Sequence, residues 1–227
     1  MIKDLQELCT EIERCKKSLI YFARTYCKVT NGKGDCVPPI ITKEFKYFSE
    51  VDRNTIIDMN DIHNKGVTTF MVIKTLHMLL FSTKPIKIAA IFQTREFILE
   101  FSNVMKTIIH NLPEFLIKWF DFISINRITM LNGNFIMLCI PTIKIEEQNI
   151  NTLFITNQKP NNLYDELWQT VNAMYLDKKI TIFGIGQNLN DIVSPHLTKI
   201  NTRLFLLENL RKHFQYTIIK AKYSFIF

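Results

Sequence analysis

The stretch "MNDIHNKGVTTFMVIKTLHML", Met59 to Leu79, decides how the chain is read, because it joins an apolar strand-like run to an apolar helix-like run. A loop in that place can surround phosphates with the backbone N–H groups of a helix N-terminus. A lysine then neutralises the outer phosphates, and a Ser or Thr hydroxyl holds magnesium. Gly66 and Thr68 fill the glycine and hydroxyl positions, but Val67 stands where the lysine belongs, and Lys65 lies on the other side of the glycine. The residues of such a loop would be His63, Asn64, Lys65, Gly66, Val67, Thr68 and Thr69. Taken alone, the stretch reads first as a plain connection between a strand and a helix.

Outward from the loop, "NTIIDM" before it reads as a buried strand, "TTFMVIKTLHMLLF" as an apolar helix and "IKIAAIF" as a second buried strand. In "TREFILEFSNVMKTIIHNL" the residues Phe97, Phe101, Val104, Met105 and Ile108 fall on one helical face. Strand, helix, strand, helix in this order predicts parallel pairing. "FISINRITMLNGNFIMLCIP" carries Asn132-Gly133 between β-rich flanks and predicts a hairpin. A strand "NTLFIT", a helix "LYDELWQTVNAMYL" and a strand "KITIFGIG" follow, and the last forty residues read as helical and then extended. Ahead of the loop, the apolar positions Leu5, Leu8, Ile12, Cys15, Leu19, Phe22 and Ala23 predict one amphipathic helix from Asp4 to Val29, broken by "TNGKGD". "VPPII" then extends the chain and "TKEFKYFSEV" predicts a short helix.

The 227 residues are 47% hydrophobic, enough to bury roughly 70% of the unfolded surface, which excludes a disordered chain. No apolar run approaches the ~18 residues of a membrane span, and the charged start does not read as a secretion signal. Cys9, Cys15, Cys27, Cys36 and Cys139 are odd in number and lack C-x-x-C spacing, which points to reduced thiols instead of disulfides or zinc. His63, His77, His110, His196 and His213 are scattered without ligand spacing, so no metal site is read from the sequence. The net charge of +7 gathers toward the end, where Lys199, Arg203, Arg211, Lys212, Lys220 and Lys222 face only Glu208. Such a segment supports at most sequence-independent contact with nucleic-acid phosphates.

Nucleotide hydrolysis also needs an Asp at the end of a neighbouring strand for magnesium and a carboxylate for the attacking water. The strand "NTLFIT" ends instead on Thr156, followed by Asn157, and neither is a base at neutral pH. Asp165 and Glu166 follow shortly, but in a helix-like pattern that reads as a solvated turn.

The order of these pieces resembles the N-terminal ATPase domain of the large terminase subunit of tailed phages, the T-even-like kind, over about residues 17–190. The resemblance rests on "IYFARTYCKVT", on "GVTT" before an apolar helix, on "NLPEFL" ahead of the "LNG" hairpin, on "INTLFITNQKPNN", and on "KKITIFGIGQN". It implies an α/β fold, a P-loop NTPase-like three-layer arrangement with a mostly parallel central sheet flanked by helices and a β-hairpin insertion near residues 123–141. It divides the chain into an N-terminal helical region at 1–53, an ATPase-like core at 54–195 and a basic segment at 196–227, without the family's nuclease domain. The family's basic residue, small residue, Lys and Thr of the loop fall on His63, Gly66, Val67 and Thr68. Its magnesium Asp and catalytic Glu fall on Thr156 and Asn157, its adenine-contacting Gln near Lys43, and its coupling segment on Gly184, Ile185 and Gly186.

The resemblance thus implies a terminase-like protein with an apolar scaffold kept and its catalytic residues replaced, serving as a structural or interaction module in virion assembly. It implies no cofactor, and as partners competent terminase subunits, the portal or procapsid, and double-stranded DNA, in the cytoplasm of an infected host cell. Two alternatives stay open at this point. One is an active packaging ATPase binding ATP and magnesium through displaced residues, Lys65 for phosphate and Asp165 or Glu166 for magnesium and water. The other is a non-specific DNA-binding accessory protein acting through the basic C-terminal segment.

Overall fold

The computed structural model describes residues 5–42, 45–46, 49, 55–58, 66–92, 94–140, 148–156, 181–186 and 219–220. They fall into two compact units that interleave along the chain. The first gathers Met1–Val51, Thr68–Ile86 and Leu99–Ile136; the second gathers Asp52–Val67, Lys87–Ile98 and Met137–Phe227.

The first unit opens with α1 (Leu5–Lys17) and α2 (Leu19–Tyr26). The single helix expected over Asp4 to Val29 is therefore two. The break is at Ser18, whose backbone is extended (φ −141°) and whose hydroxyl accepts the Tyr21 N–H at 3.1 Å, capping α2. Apolar spacing runs on through the break, which is why periodicity alone does not show it. Leu5, counted on the apolar face, is 75% exposed. A short antiparallel pair, β1 (Val29–Thr30) and β2 (Cys36–Val37), closes around "TNGKGD". Asn31 Oδ1 accepts the N–H groups of Lys33 and Asp35 there, and Gly34 takes the positive φ the turn requires.

Helix α3 (Val67–Phe81) is apolar nearly all round, and Phe70, Met71, Val72, Ile73, Leu76 and Leu79 are buried. Its His77 sits between the rings of Phe22 and Phe81 and donates from Nε2 to the Cys15 carbonyl at 2.8 Å, tying α3 to α1. Burial pushes the His77 pKa below its ordinary value, and nearby Lys74 adds to this, while the Cys15 carbonyl opposes it. An unfolded chain therefore takes up this proton before the folded one as pH falls. The contribution of His77 to stability is intact above about pH 6.5 and is lost as pH drops below it. Urea midpoints at pH 7.5 and pH 5 should show this loss in the natural chain and a smaller one in His77→Gln; equal losses would contradict the assignment.

Thr75, on the same helix, is fully buried, and its hydroxyl is the one buried side-chain polar atom without a partner among the described residues. An unsatisfied buried hydroxyl costs about 1–3 kcal/mol, so Thr75→Val should raise stability by about 1 kcal/mol in urea denaturation. A lowered midpoint would show that the hydroxyl has a partner.

Helix α4 (Arg95–His110) buries Ile98, Phe101, Ser102, Met105, Ile108 and Ile109. The buried stripe is thus rotated from the expected one: Phe97 is 36% exposed, and Ile98 takes its place. A one-turn helix, α5 (Glu114–Ile117), follows Pro113. The chain then forms β5 (Phe120–Ile123), β6 (Arg127–Met130) and β7 (Phe135–Cys139). Strand β5 pairs antiparallel with β6, and β6 neighbours β7, so the expected hairpin gains a third strand. Its turn is a three-residue loop in which Met130 N–H donates to the Asn134 carbonyl and only Gly133 takes positive φ, at 81°.

The second unit is built on five parallel strands in the order β10-β3-β9-β8-β4, where β3 is Thr55–Asp58, β4 Lys87–Ile91, β8 Thr152–Thr156, β9 Thr181–Gly186 and β10 Ile219–Lys220. Ile88, Ala89, Ala90, Ile91, Leu153 and Phe154 are buried, as continuous apolar strands of a parallel sheet require. Asn151 braces the start of this sheet by accepting the Lys87 N–H on Oδ1 and donating its own N–H to the Lys87 carbonyl.

Candidate functional site

Among open parallel sheets, ligands bind outside the carboxyl ends of the strands. In the second unit those ends are brought side by side in register. Asp58 pairs with Gly186 on one side and with Lys220 on the other, and Ile185 pairs with Thr156. One strand, β9, separates β3, which leads toward the loop, from β8, which ends on Thr156. Gly184, Ile185 and Gly186, expected at the coupling segment, end the strand between them. Sequence reading did not single out Asp58, a carboxylate residue at the end of β3, although it is the last residue of the apolar run "TIID".

Of the loop residues, Gly66 has φ +78°, with open space around the position a Cβ would take. That backbone conformation favours glycine and frees the chain to turn into the helix at Val67. Thr68 and Thr69 lie in the first turn of α3, both half-buried. The first turn carries no acidic side chain of its own. Instead, Thr68 Oγ1 donates to Glu100 Oε1 of α4 at 3.1 Å. The sequence did not single out Glu100: 32 residues separate the pair, and on α4 it falls on the exposed side, where a carboxylate reads as solvated.

His63, Asn64, Lys65, Asn157, Asp165, Glu166, Lys199, Arg203, Arg211, Lys212 and Lys222, together with Lys43 and the expected helix at 163–176, lie outside the described residues. Lys220 is within a strand, β10. Among the described residues no group of three or more His, Cys, Asp or Glu is placed to hold a metal ion, and no helix is long and apolar enough to cross a membrane.

The segment "IYFARTYCKVT" has a structural task in the first unit. Tyr21 and Tyr26 donate their hydroxyls to Glu11 Oε1 at 2.7 and 2.6 Å, and Arg14 lies 3.6 Å from Oε2. Burial raises the Glu11 pKa, but the bonds from Tyr26 and Tyr21 and the Arg14 charge outweigh it, so the carboxyl is held below its usual range. The cysteines stand as free thiols, and burial pushes Cys15 and Cys139 up to about 12, which keeps both protonated and poorly nucleophilic at neutral pH.

No protein-family model and no curated protein matches the chain. Among solved structures it is similar to the crystal structure of the HK97 bacteriophage large terminase, with a TM-score of 0.55 and 12% identity. The likeness covers 76% of this chain and 37% of that one, so the chain spans well under half of the HK97 protein. At this identity the likeness concerns the fold, and the fold is terminase-like: mixed α/β, with a mostly parallel sheet and helices.

Proposed function

We propose that the chain is a terminase large-subunit-like protein of the T-even-like kind that has kept the ATPase scaffold without its chemistry and acts as a structural or interaction module in phage DNA packaging. One observation carries this reading. A terminase-like fold goes with uncharged residues at the three positions where the resemblance implies charge: Val67 next to Gly66, Thr156 at the end of β8, and Asn157 next to it in sequence. Phosphoryl transfer gains little from a protein beyond positioning and electrostatic stabilisation, so losing the lysine, the magnesium carboxylate and the catalytic carboxylate together removes most of what the fold could supply. The partners that fit are competent terminase subunits, the portal or procapsid, and DNA held by phosphate contacts.

The test is a magnesium-dependent ATPase assay on the natural chain, alone and with DNA. The reading requires no turnover above background. Hydrolysis abolished by Thr68→Ala would overturn it, and hydrolysis abolished by Lys65→Ala would identify a displaced phosphate lysine.

A further inference from the structure

We propose that the β5–β6 hairpin is the face through which two copies of this chain associate about a two-fold axis. Five of the nine large apolar side chains that stand exposed among the described residues, Ile117, Trp119, Phe122, Ile125 and Leu131, fall in this one stretch. Strand pairing sorts the two faces of the hairpin. Ile128 and Met130 are buried, whereas Phe122 stands opposite Thr129 on the other face. The Leu131 N–H donates to the Trp119 carbonyl at 2.9 Å, which sets those two residues side by side at one end. Among the described strands β5 pairs only with β6, so its other edge is open to a further strand. Neither lysine nor proline, which commonly guard such an edge, occurs in β5.

The size of the patch points to a second copy as its occupant. At roughly 200 Å² for a large apolar side chain, exposures from 36% to 66% leave about 500 Å² open on each molecule. A standard interface takes about 800 Å² from each partner and a homodimer interface is about 65% apolar, which again comes to about 500 Å². Charge fits the same occupant. A two-fold axis sets a patch against itself, so a patch of one sign would repel its copy. Here Asp121 and Arg127 are both exposed and opposite in sign, and Lys118 is already held by Glu114 at 2.7 Å. The contact is independent of the ATPase reading, since a dimer could hydrolyse ATP and a monomer could fail to.

The experiment is sedimentation of the purified natural chain over a range of concentrations, beside Phe122→Ser with Leu131→Ser, and beside Ile40→Ser as a control at an exposed apolar residue outside the hairpin. The natural 26.8 kDa chain should reach twice that mass as concentration rises, and Ile40→Ser should do the same. The double substitution should weaken association at least about a hundredfold, because each of the two copies loses two apolar side chains from the contact. Thermal melts check that the variants fold, as substitutions at exposed positions allow. Hydrogen exchange on the natural chain gives a reading that needs no variant: amides of residues 119–131 should exchange more slowly at high concentration than at low. A natural chain that stays monomeric at every concentration would overturn the proposal. So would a dimer that the double substitution leaves intact, or exchange in the hairpin that does not change with concentration.

Discussion

Asn134→Ala lowers the stability of the protein by about 3 kcal/mol in urea denaturation, because one side chain satisfies backbone groups of two separate elements. Asn134 is 2% exposed; its Oδ1 accepts the Ile86 N–H at 2.9 Å and its Nδ2 donates to the Leu79 carbonyl at 3.0 Å. Leu79 lies in the last turn of α3, where carbonyls lack helical partners, and Ile86 directly precedes β4. The residue thus locks the end of the helix and the chain at Ile86 to the turn that carries Asn134. Alanine leaves a donor and an acceptor buried and unpaired, each costing about 1–3 kcal/mol. Asn134→Asp keeps an acceptor for Ile86 but faces the Leu79 carbonyl with negative charge, and should also destabilise. A loss under about 1 kcal/mol for Asn134→Ala would show that water or a rearranged turn replaces both bonds.

Phe22→Ala should cost about 3–5 kcal/mol, the range for truncating a fully buried phenylalanine that cannot be refilled. Phe22 is fully buried, packs edge-on against Phe81 at 5.5 Å between ring centroids, and covers His77 at 5.9 Å. The same truncation should admit water to the imidazole and move its pKa back toward the ordinary value. The acid-side loss of stability described above would then flatten. An imidazole titration by NMR, alongside urea denaturation, reads both effects. A stability loss without any change in the His77 titration would mean that other groups bury the ring.

The parallel strands were legible because their apolar runs are continuous: "TIID", "KIAAI", "TLFIT" and "TIFGIG" each became a strand within one or two residues of the reading. Their order was not. That β9 stands between β3 and β8 depends on crossovers and register, which local patterning does not encode. Asn132-Gly133 announced its turn, but a wider loop closed by the Met130 N–H on the Asn134 carbonyl, with positive φ at Gly133, replaced the two-residue turn such a pair favours. Ser18 was passed over because Cys15, Leu19 and Phe22 keep helical spacing across it, and serine becomes a cap only when the backbone leaves the helix.

At the candidate site, a glycine directly ahead of an apolar helix was legible in the sequence, and Gly66 takes positive φ just before α3 begins at Val67. Glu100 was not, because a hydrogen bond between two helices leaves no local signal. Asp58 was overlooked because it closes an apolar strand instead of standing in a recognisable motif.

The most direct measurement is calorimetric titration of Mg-ATP into the natural chain, beside a variant carrying Val67→Lys, Thr156→Asp and Asn157→Glu. A scaffold that has lost its chemistry predicts no saturable heat from the natural chain and saturable binding in the variant. Saturable Mg-ATP binding by the natural chain would contradict it, and the loop around Gly66 would then be a working nucleotide site.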